Sequence, residues 1–384
     1  MMVSLARKTL WREWPRFVPA VLGIAFAGLL LIVQFALVMG IFGSAALYVS
    51  ASKADLWVGY PGTQSVNYGR NISSSVEMML RMHPEVNAVE PLVWVDADWQ
   101  SESSDGKVPV FVTGISTDSD SLMYTSLLTP QLRALLREPG AVIIDQADLD
   151  QLGIATIDPL RSDNYGRIDG QPVHVVAAIS GLRALGGVNV VTSLATGREL
   201  DGRASEPESA AYWVASLRNP LNAGAVAADL NGKTAFGPYE AWAASDFARQ
   251  SQVHWILDTG AGVAVLFMAA IVLLVGIVVA SQSLTAVVIA SAREYATLNA
   301  LGAGFAALRR VVLEQALWLG GAGLLVSTVL AAVLLTAAGA HDIPVAMSSG
   351  IAGLSALLVL AISLFSGLMA MRGLMKADPV QLLR

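Results

Sequence analysis

The sequence predicts a membrane protein with four transmembrane α-helices and a large extracytoplasmic α+β domain inserted between helices 1 and 2. Three observations carry this. Charged residues are only 14% of the chain and hydrophobic ones 54%, where a soluble globular chain carries about 25% charged residues. Four charge-free runs are each longer than the ~20 apolar residues a spanning helix needs. Between the first and second of them lies a long polar stretch rich in turn residues.

Residues 1–16 hold Arg7, Lys8, Arg12 and Arg16 with Leu10 and Trp14 four apart between them. This is the pattern of a cytoplasmic amphipathic segment, and equally of a basic flank that sets orientation. No charge follows until Lys53. Residues 17–47 read as transmembrane helix 1, too long for the ~7–15-residue core of a signal peptide and so an uncleaved anchor. Pro19 is expected in its first turn, where a missing N–H costs little.

Residues 48–255 have the composition of a soluble domain, with 24 Asp and Glu against 14 Lys and Arg. Turn pairs such as Asp169-Gly170, Asn219-Pro220 and Gly237-Pro238 divide it. Alternating or apolar runs predict strands at Ala88–Trp99, Lys107–Ile115, Ala141–Asp145, Pro172–Ile179, Asn189–Leu194 and Ala211–Leu217. Helical periodicity falls at Ser74–His83, Thr129–Arg137, Gln146–Leu152 and Tyr239–Ile256. The strands cluster without regular βαβ spacing, which favours α+β. The chain has no cysteine, so a core alone must hold this domain together.

Three further apolar runs predict helix 2 at 256–283, helix 3 at 309–338 and helix 4 at 348–371, with a short external loop at 339–347. The N-terminus, the 284–308 loop with its neighbours Arg309 and Arg310, and the 372–384 terminus are all basic, while 339–347 has no Lys or Arg. The positive-inside rule then places both termini and the 284–308 loop in the cytoplasm and the large domain outside. Small residues recur four apart in the spans, at Gly23 and Ala27, Gly276 and Ala280, Ala316 and Gly320, and Ser363 and Gly367. That spacing suits close helix packing, within one subunit or between two. Glu314, four residues after Arg310, is expected to pair with it at the membrane surface.

Gly232-Lys233-Thr234 has the tail of a phosphate-binding loop but lacks the earlier glycine, since that position is Ala227. His83, His174, His254 and His341 have no metal-ligand spacing, so neither a metal nor a cofactor is expected. Asp96 and Asp98 share one face of a strand, and a solvent-facing carboxylate pair accounts for them without catalysis. A net charge of −6 without basic clusters gives no sign of nucleic-acid binding. The reading is a non-catalytic chain.

What remains is the charged interruption between the second and third spans, Ser291-Ala292-Arg293-Glu294-Tyr295-Ala296-Thr297-Leu298-Asn299-Ala300-Leu301-Gly302. It resembles the cytoplasmic loop of ABC-exporter permeases of the MacB/FtsX/Lol type. Arg293, Glu294, Tyr295, Ala296, Leu298, Ala300, Leu301 and Gly302 match that family's pattern, and the ending Pro379-Val380-Gln381-Leu382-Leu383-Arg384 is similar to its close. The Glu294-Tyr295-Ala296-Thr297-Leu298 form is most similar to the DevC type, the heterocyst glycolipid exporter permeases. Ser291 and Asn299 depart from the family, which is usually basic at both positions.

The resemblance implies a bacterial inner-membrane, multi-pass permease working with a cytoplasmic ABC ATPase and a second permease subunit, most simply as a homodimer. A periplasmic adaptor and an outer-membrane channel are implied partners, with membrane lipid around the spans. On this reading Arg293, Glu294, Tyr295, Leu298, Leu301 and Gly302 form the ATPase-docking helix, and ATP hydrolysis drives export of a lipid or other amphiphile. An alternative within the resemblance is a mechanotransmission protein that activates a cell-wall hydrolase and transports nothing.

Overall fold

The computed structural model describes residues 14–101, 106–154, 157, 164–185, 187–202, 209–233, 236–291, 297, 305–340, 343 and 345–376, with 305–308 and 370–376 by backbone only. The chain begins with helix α1 (Trp14–Gly43) and enters a domain of β1 (Leu56–Gly59), α2 (Ser75–Arg81), β2 (Val86–Ser101), β3 (Lys107–Ile115), α3 (Pro130–Leu135) and β4 (Ala141–Asp145). There follow β5 (Tyr165–Ile168), β6 (Gln171–Ile179), β7 (Val188–Ser193), α4 (Leu194–Leu200), β8 (Tyr212–Leu217), α5 (Ala223–Asn231), β9 (Glu240–Ala243) and α6 (Ala244–Val253). Three long helices close it, α7 (Gly260–Ala290), α8 (Phe305–Ala340) and α9 (Ser349–Lys376). Two compact units result: Met1–Ile41 with Val263–Arg384, and Phe42–Gly262.

Among the described residues, four helices are long and apolar enough to cross a membrane, as expected. Their small residues are spent on one another. A Cβ on Gly23 would fall 2.0 Å from Ser283 Oγ, and one on Gly367 would fall 2.9 Å from the Ala316 methyl. Gly320 faces Ser363, whose Oγ donates to the Ala316 carbonyl at 2.8 Å. Gly276 lies against Ala27. All four small-residue pairs therefore pack within this chain, around a core that includes Phe17, Ile24, Leu31, Leu284 and Leu319. Pro19 is inside α1, not in its first turn, because the helix already runs from Trp14; it has no N–H to give the turn before it.

In the second unit, β2 organises everything. Its first half, Val86–Leu92, pairs with β8 in a four-stranded antiparallel sheet ordered β9-β1-β8-β2. Its second half pairs with β3 over Val93–Gln100 and with β5 over Trp99–Ser101. The pairings β3–β7, β7–β4, β4–β6 and β6–β5 then close a six-stranded barrel. Most ladders are antiparallel, with β3–β7 and β4–β6 parallel, so the domain is α+β as expected. Alternation along β2 sends Val93, Val95 and Trp99 into a barrel filled by Val112, Val142, Ile144, Val175 and Val190. The open sheet buries Leu56, Trp213 and Leu217 under α2 and α5, and its other face buries Trp57 and Tyr212 against Phe247 of α6.

Caps mark the helix starts. Thr129 Oγ1 accepts from the Leu132 N–H at 3.4 Å with Pro130 next in line, and Ser193 Oγ accepts from the Thr196 N–H at 3.2 Å. Asp169 and Gly170 both have positive φ, 49° and 86°, and join β5 to β6 in a tight hairpin. The expected helix at Gln146–Leu152 is only a 3₁₀ turn, Gln146–Asp148. The one expected at Tyr239–Ile256 opens as strand β9, becomes α6 and ends in a π-helical turn, His254–Asp258. Three strands were not expected: β1, β5 and β9.

Candidate functional site at the loop between the second and third long helices

Arg293, Glu294, Tyr295, Leu298, Leu301 and Gly302 lie outside the described residues, and the structure defines the frame on either side of them. At the end of α7, the Ala290 carbonyl accepts a hydrogen bond from the Arg16 guanidinium of α1. A cation there satisfies a terminal carbonyl and suits the negative end of the helix dipole. Ser291 continues the winding, its N–H donating to the Val287 carbonyl at 3.0 Å. Its side chain is 0% exposed, and its Oγ has no hydrogen-bond partner. A long basic side chain at this position would have to displace its neighbours, which accounts for a serine here.

On the other side, Arg309 and Arg310 are exposed at the start of α8. They border a shallow groove of about 600 Å³ with Leu313, Glu314, Leu317 and, from α9, Leu364. The expected Arg310–Glu314 pair is not formed: no ion pair joins the two side chains. An exposed (i, i+4) pair gains only ~0.3–0.5 kcal/mol, too little to hold two long side chains together. Two guanidinium groups and a half-buried carboxylate thus stand beside the loop with apolar side chains between them, a mixed surface suited to a polar partner.

The remaining singled-out residues have structural partners. Asn231 ends α5 and its side chain exchanges two hydrogen bonds with the Ala241 backbone, while Lys233 pairs with Asp229 at 2.8 Å. The Gly-Lys pair therefore follows a helix instead of opening one, the reverse of a phosphate cradle. His83, His174 and His254 face Asp229, Glu138 and Asp258 respectively, and His341 lies outside the described residues. Among the described residues no group of three or more His, Asp or Glu could hold a metal ion.

Asp96 and Asp98 do share a face of β2, opposite Phe111 and Pro109 of β3. Solvent is not the whole of their surroundings. Desolvation raises the Asp96 carboxyl above its ordinary value, an effect the Trp94 side chain only partly offsets. A raised acid favours folding fully below its unfolded value, and that contribution is lost as pH rises through the folded one. Asp96→Asn is therefore expected to raise the melting temperature at pH 7 and to change it little below the usual carboxylate range of about pH 4. Melting curves across that range would check this, and a lower melting temperature at pH 7 would contradict it.

No curated relative matches the chain. Among solved structures, the periplasmic region of MacB from Actinobacillus actinomycetemcomitans is similar at 10% identity and a TM-score of 0.36, covering 52% of this chain and 94% of that one. The extracellular domain of the ABC-type transporter YknZ from Gram-positive bacteria is similar at 14% identity and a TM-score of 0.33, covering 49% and 98%. Residues 266–379, which include the helices that flank the loop, match the family described as FtsX-like permease C-terminal.

Proposed function

We propose that this chain is the membrane-spanning subunit of a bacterial ATP-driven exporter, without catalytic groups of its own. The observation that carries the reading is the match of residues 266–379 to the FtsX-like permease C-terminal family, which spans most of α7, the loop and both later helices. The basic residues on the cytoplasmic side by the positive-inside rule support the same orientation. A separate ABC ATPase docks on residues 291–304, where Leu298 and Leu301 bury against it and Arg293 and Glu294 fix its orientation from the rim. Tyr295 and Gly302 complete the docking helix. The groove beside Arg309, Arg310 and Glu314 extends that surface.

The domain between α1 and α7 is covalently joined to both, so movement at the loop reaches it directly along α7, and along α1 through the hydrogen bond from Arg16 to the Ala290 carbonyl. In the fuller reading it lies in the periplasm of an inner-membrane homodimer and works an adaptor and an outer-membrane channel, with a lipid or other amphiphile as cargo. Its DevC-type loop form supports that cargo class.

Leu298→Asp is expected to reduce the ATPase recovered with the purified chain by about tenfold or more, since burying an unpaired charge costs several kcal/mol, and Glu294→Lys to reduce it more modestly, by reversing a charge that orients the partner at the rim. Membrane insertion should be unchanged. Undiminished ATPase with both variants would remove the docking role from this segment.

A further inference from the structure

An open cleft of about 440 Å³ on the strand-rich domain is lined by three carboxylates, Asn67, three aromatic rings and a short aliphatic strip. We propose that it binds a small organic cation, an ammonium or guanidinium group carried on an apolar body. The proposal is independent of the permease reading and concerns only residues of the second compact unit.

The cleft lies on the β2–β3 face away from the barrel core. Cross-strand pairing puts Asp96 opposite Phe111 and Asp98 opposite Pro109, so carboxylates and apolar surface alternate along one wall. Asp169, at the tip of the β5–β6 hairpin, adds a third carboxylate; its Oδ1 accepts from the Asp98 N–H at 3.0 Å, and its own N–H donates to the Asp98 carbonyl at 3.0 Å. These two bonds hold the hairpin against β2.

The opposite wall is aromatic. Tyr68, 47% exposed, and Trp255 lie nearly parallel with ring centroids 6.4 Å apart. The Trp255 indole N–H donates to Ser65 Oγ at 3.1 Å, which fixes that ring. Ring faces beside carboxylates attract a cation through both the ring quadrupole and charge.

Asn67 supplies the second, independent sign of a ligand. It lines the cleft at 2% exposure, with Nδ2 committed to the Leu185 carbonyl at 2.9 Å, while its buried Oδ1 accepts no hydrogen bond. A buried acceptor without a donor is costly; this one is closed to solvent in the structure, so a ligand N–H would satisfy it by turning the Asn67 side chain toward the cleft.

The charge arithmetic selects the ligand class. Lys107 reaches Asp98 at 3.5 Å, but no Lys or Arg among the described residues pairs with Asp96, so the cleft keeps excess negative charge. A bare divalent cation fits less well, because no described group of three carboxylates converges on one point. An anion meets net repulsion from the carboxylates, and a neutral group gains no charge attraction. The volume suits a small molecule, since ligand sites commonly run about 300–1,000 Å³.

The test uses the full chain in lipid nanodiscs and three probes of one shape: 4-phenylbutylamine, 4-phenylbutanol and 4-phenylbutyrate. Saturation-transfer NMR and calorimetry should show saturable binding of the amine. The alcohol should bind about tenfold more weakly or worse, and the carboxylate not at all. Asp96→Asn, expected to fold at least as well as the native chain, should weaken the amine about five- to tenfold. Tyr68→Ala, an exposed position, should weaken it similarly. Partition into the lipid would be unaffected by either substitution, which separates it from binding at the cleft. Absence of amine binding, equal binding of amine and alcohol, an unchanged amine affinity in both variants, or displacement of the amine by millimolar Ca²⁺ would each overturn the proposal.

Discussion

Trp99→Ala is expected to lower the stability of the barrel by about 3–5 kcal/mol, the cost of emptying a large aromatic site in a packed core. Trp99 is 0% exposed, and it also donates its indole N–H to the Leu152 carbonyl at 3.1 Å. Its ring fills the space over Gly166, where a Cβ would meet it at 2.3 Å. The alanine variant therefore leaves both a cavity and an unpaired buried carbonyl. Thermal melting of the full chain in detergent should show the transition of the strand-rich domain falling by roughly 10 °C. A shift of less than about 2 °C would mean that the barrel interior collapses around the gap, against the packing described.

Gly323→Leu is expected to damage the membrane bundle severely. A Cβ there would lie 2.6 Å from Ile24 Cγ2, 2.8 Å from Ile24 Cβ and 3.3 Å from the Ala25 backbone nitrogen. The obstacle is α1 itself, so α8 must shift bodily, at a cost of about 1–3 kcal/mol or more. Two residues earlier, Gly321 has no atom within 4 Å of the same construction, so Gly321→Leu should be tolerated to within about 0.5 kcal/mol. Comparing the two in parallel melts removes the intrinsic effect of replacing a helical glycine. Equal loss in both would contradict the α1–α8 contact.

How much of this was legible in the sequence depended on range. The four long helices were, because charge-free length is a local property and nothing distant can cancel it. Strands such as Lys107–Ile115 and Ala141–Asp145 were as well, since apolar or β-branched runs between turn residues leave little choice. Barrel closure was not, because it rests on β2 changing partners at Leu92–Val93, and no local pattern records a partner. Strand β5 is short and carries Gly166 and Arg167, so it lacks the β-branched content that marks a strand. Strand β9 was hidden because Tyr239–Ile256 reads as one helical period until the pairing of Trp57 with Trp242 claims its start.

The chemistry followed the same division. Asp96 and Asp98 were visible as two carboxylates on one face, but Tyr68, Asp169 and Trp255 reach them only through the tertiary fold. The unsatisfied Asn67 has no sequence signal at all. By contrast, the proposal of a docking loop draws on charge and motif alone, since it depends on a contiguous stretch.

That loop is where the account is most exposed to test. The chain has no cysteine, so Leu298→Cys introduces a unique thiol at the centre of the proposed docking helix. Bifunctional cross-linking in intact cells, followed by identification of the attached protein, measures both its side of the membrane and its neighbour. The expected result is a single cross-linked species containing an ABC ATPase, with the thiol shielded from membrane-impermeant reagents added outside. A thiol labelled from outside, or one freely accessible in the cytoplasm that never cross-links to an ATPase, would contradict it.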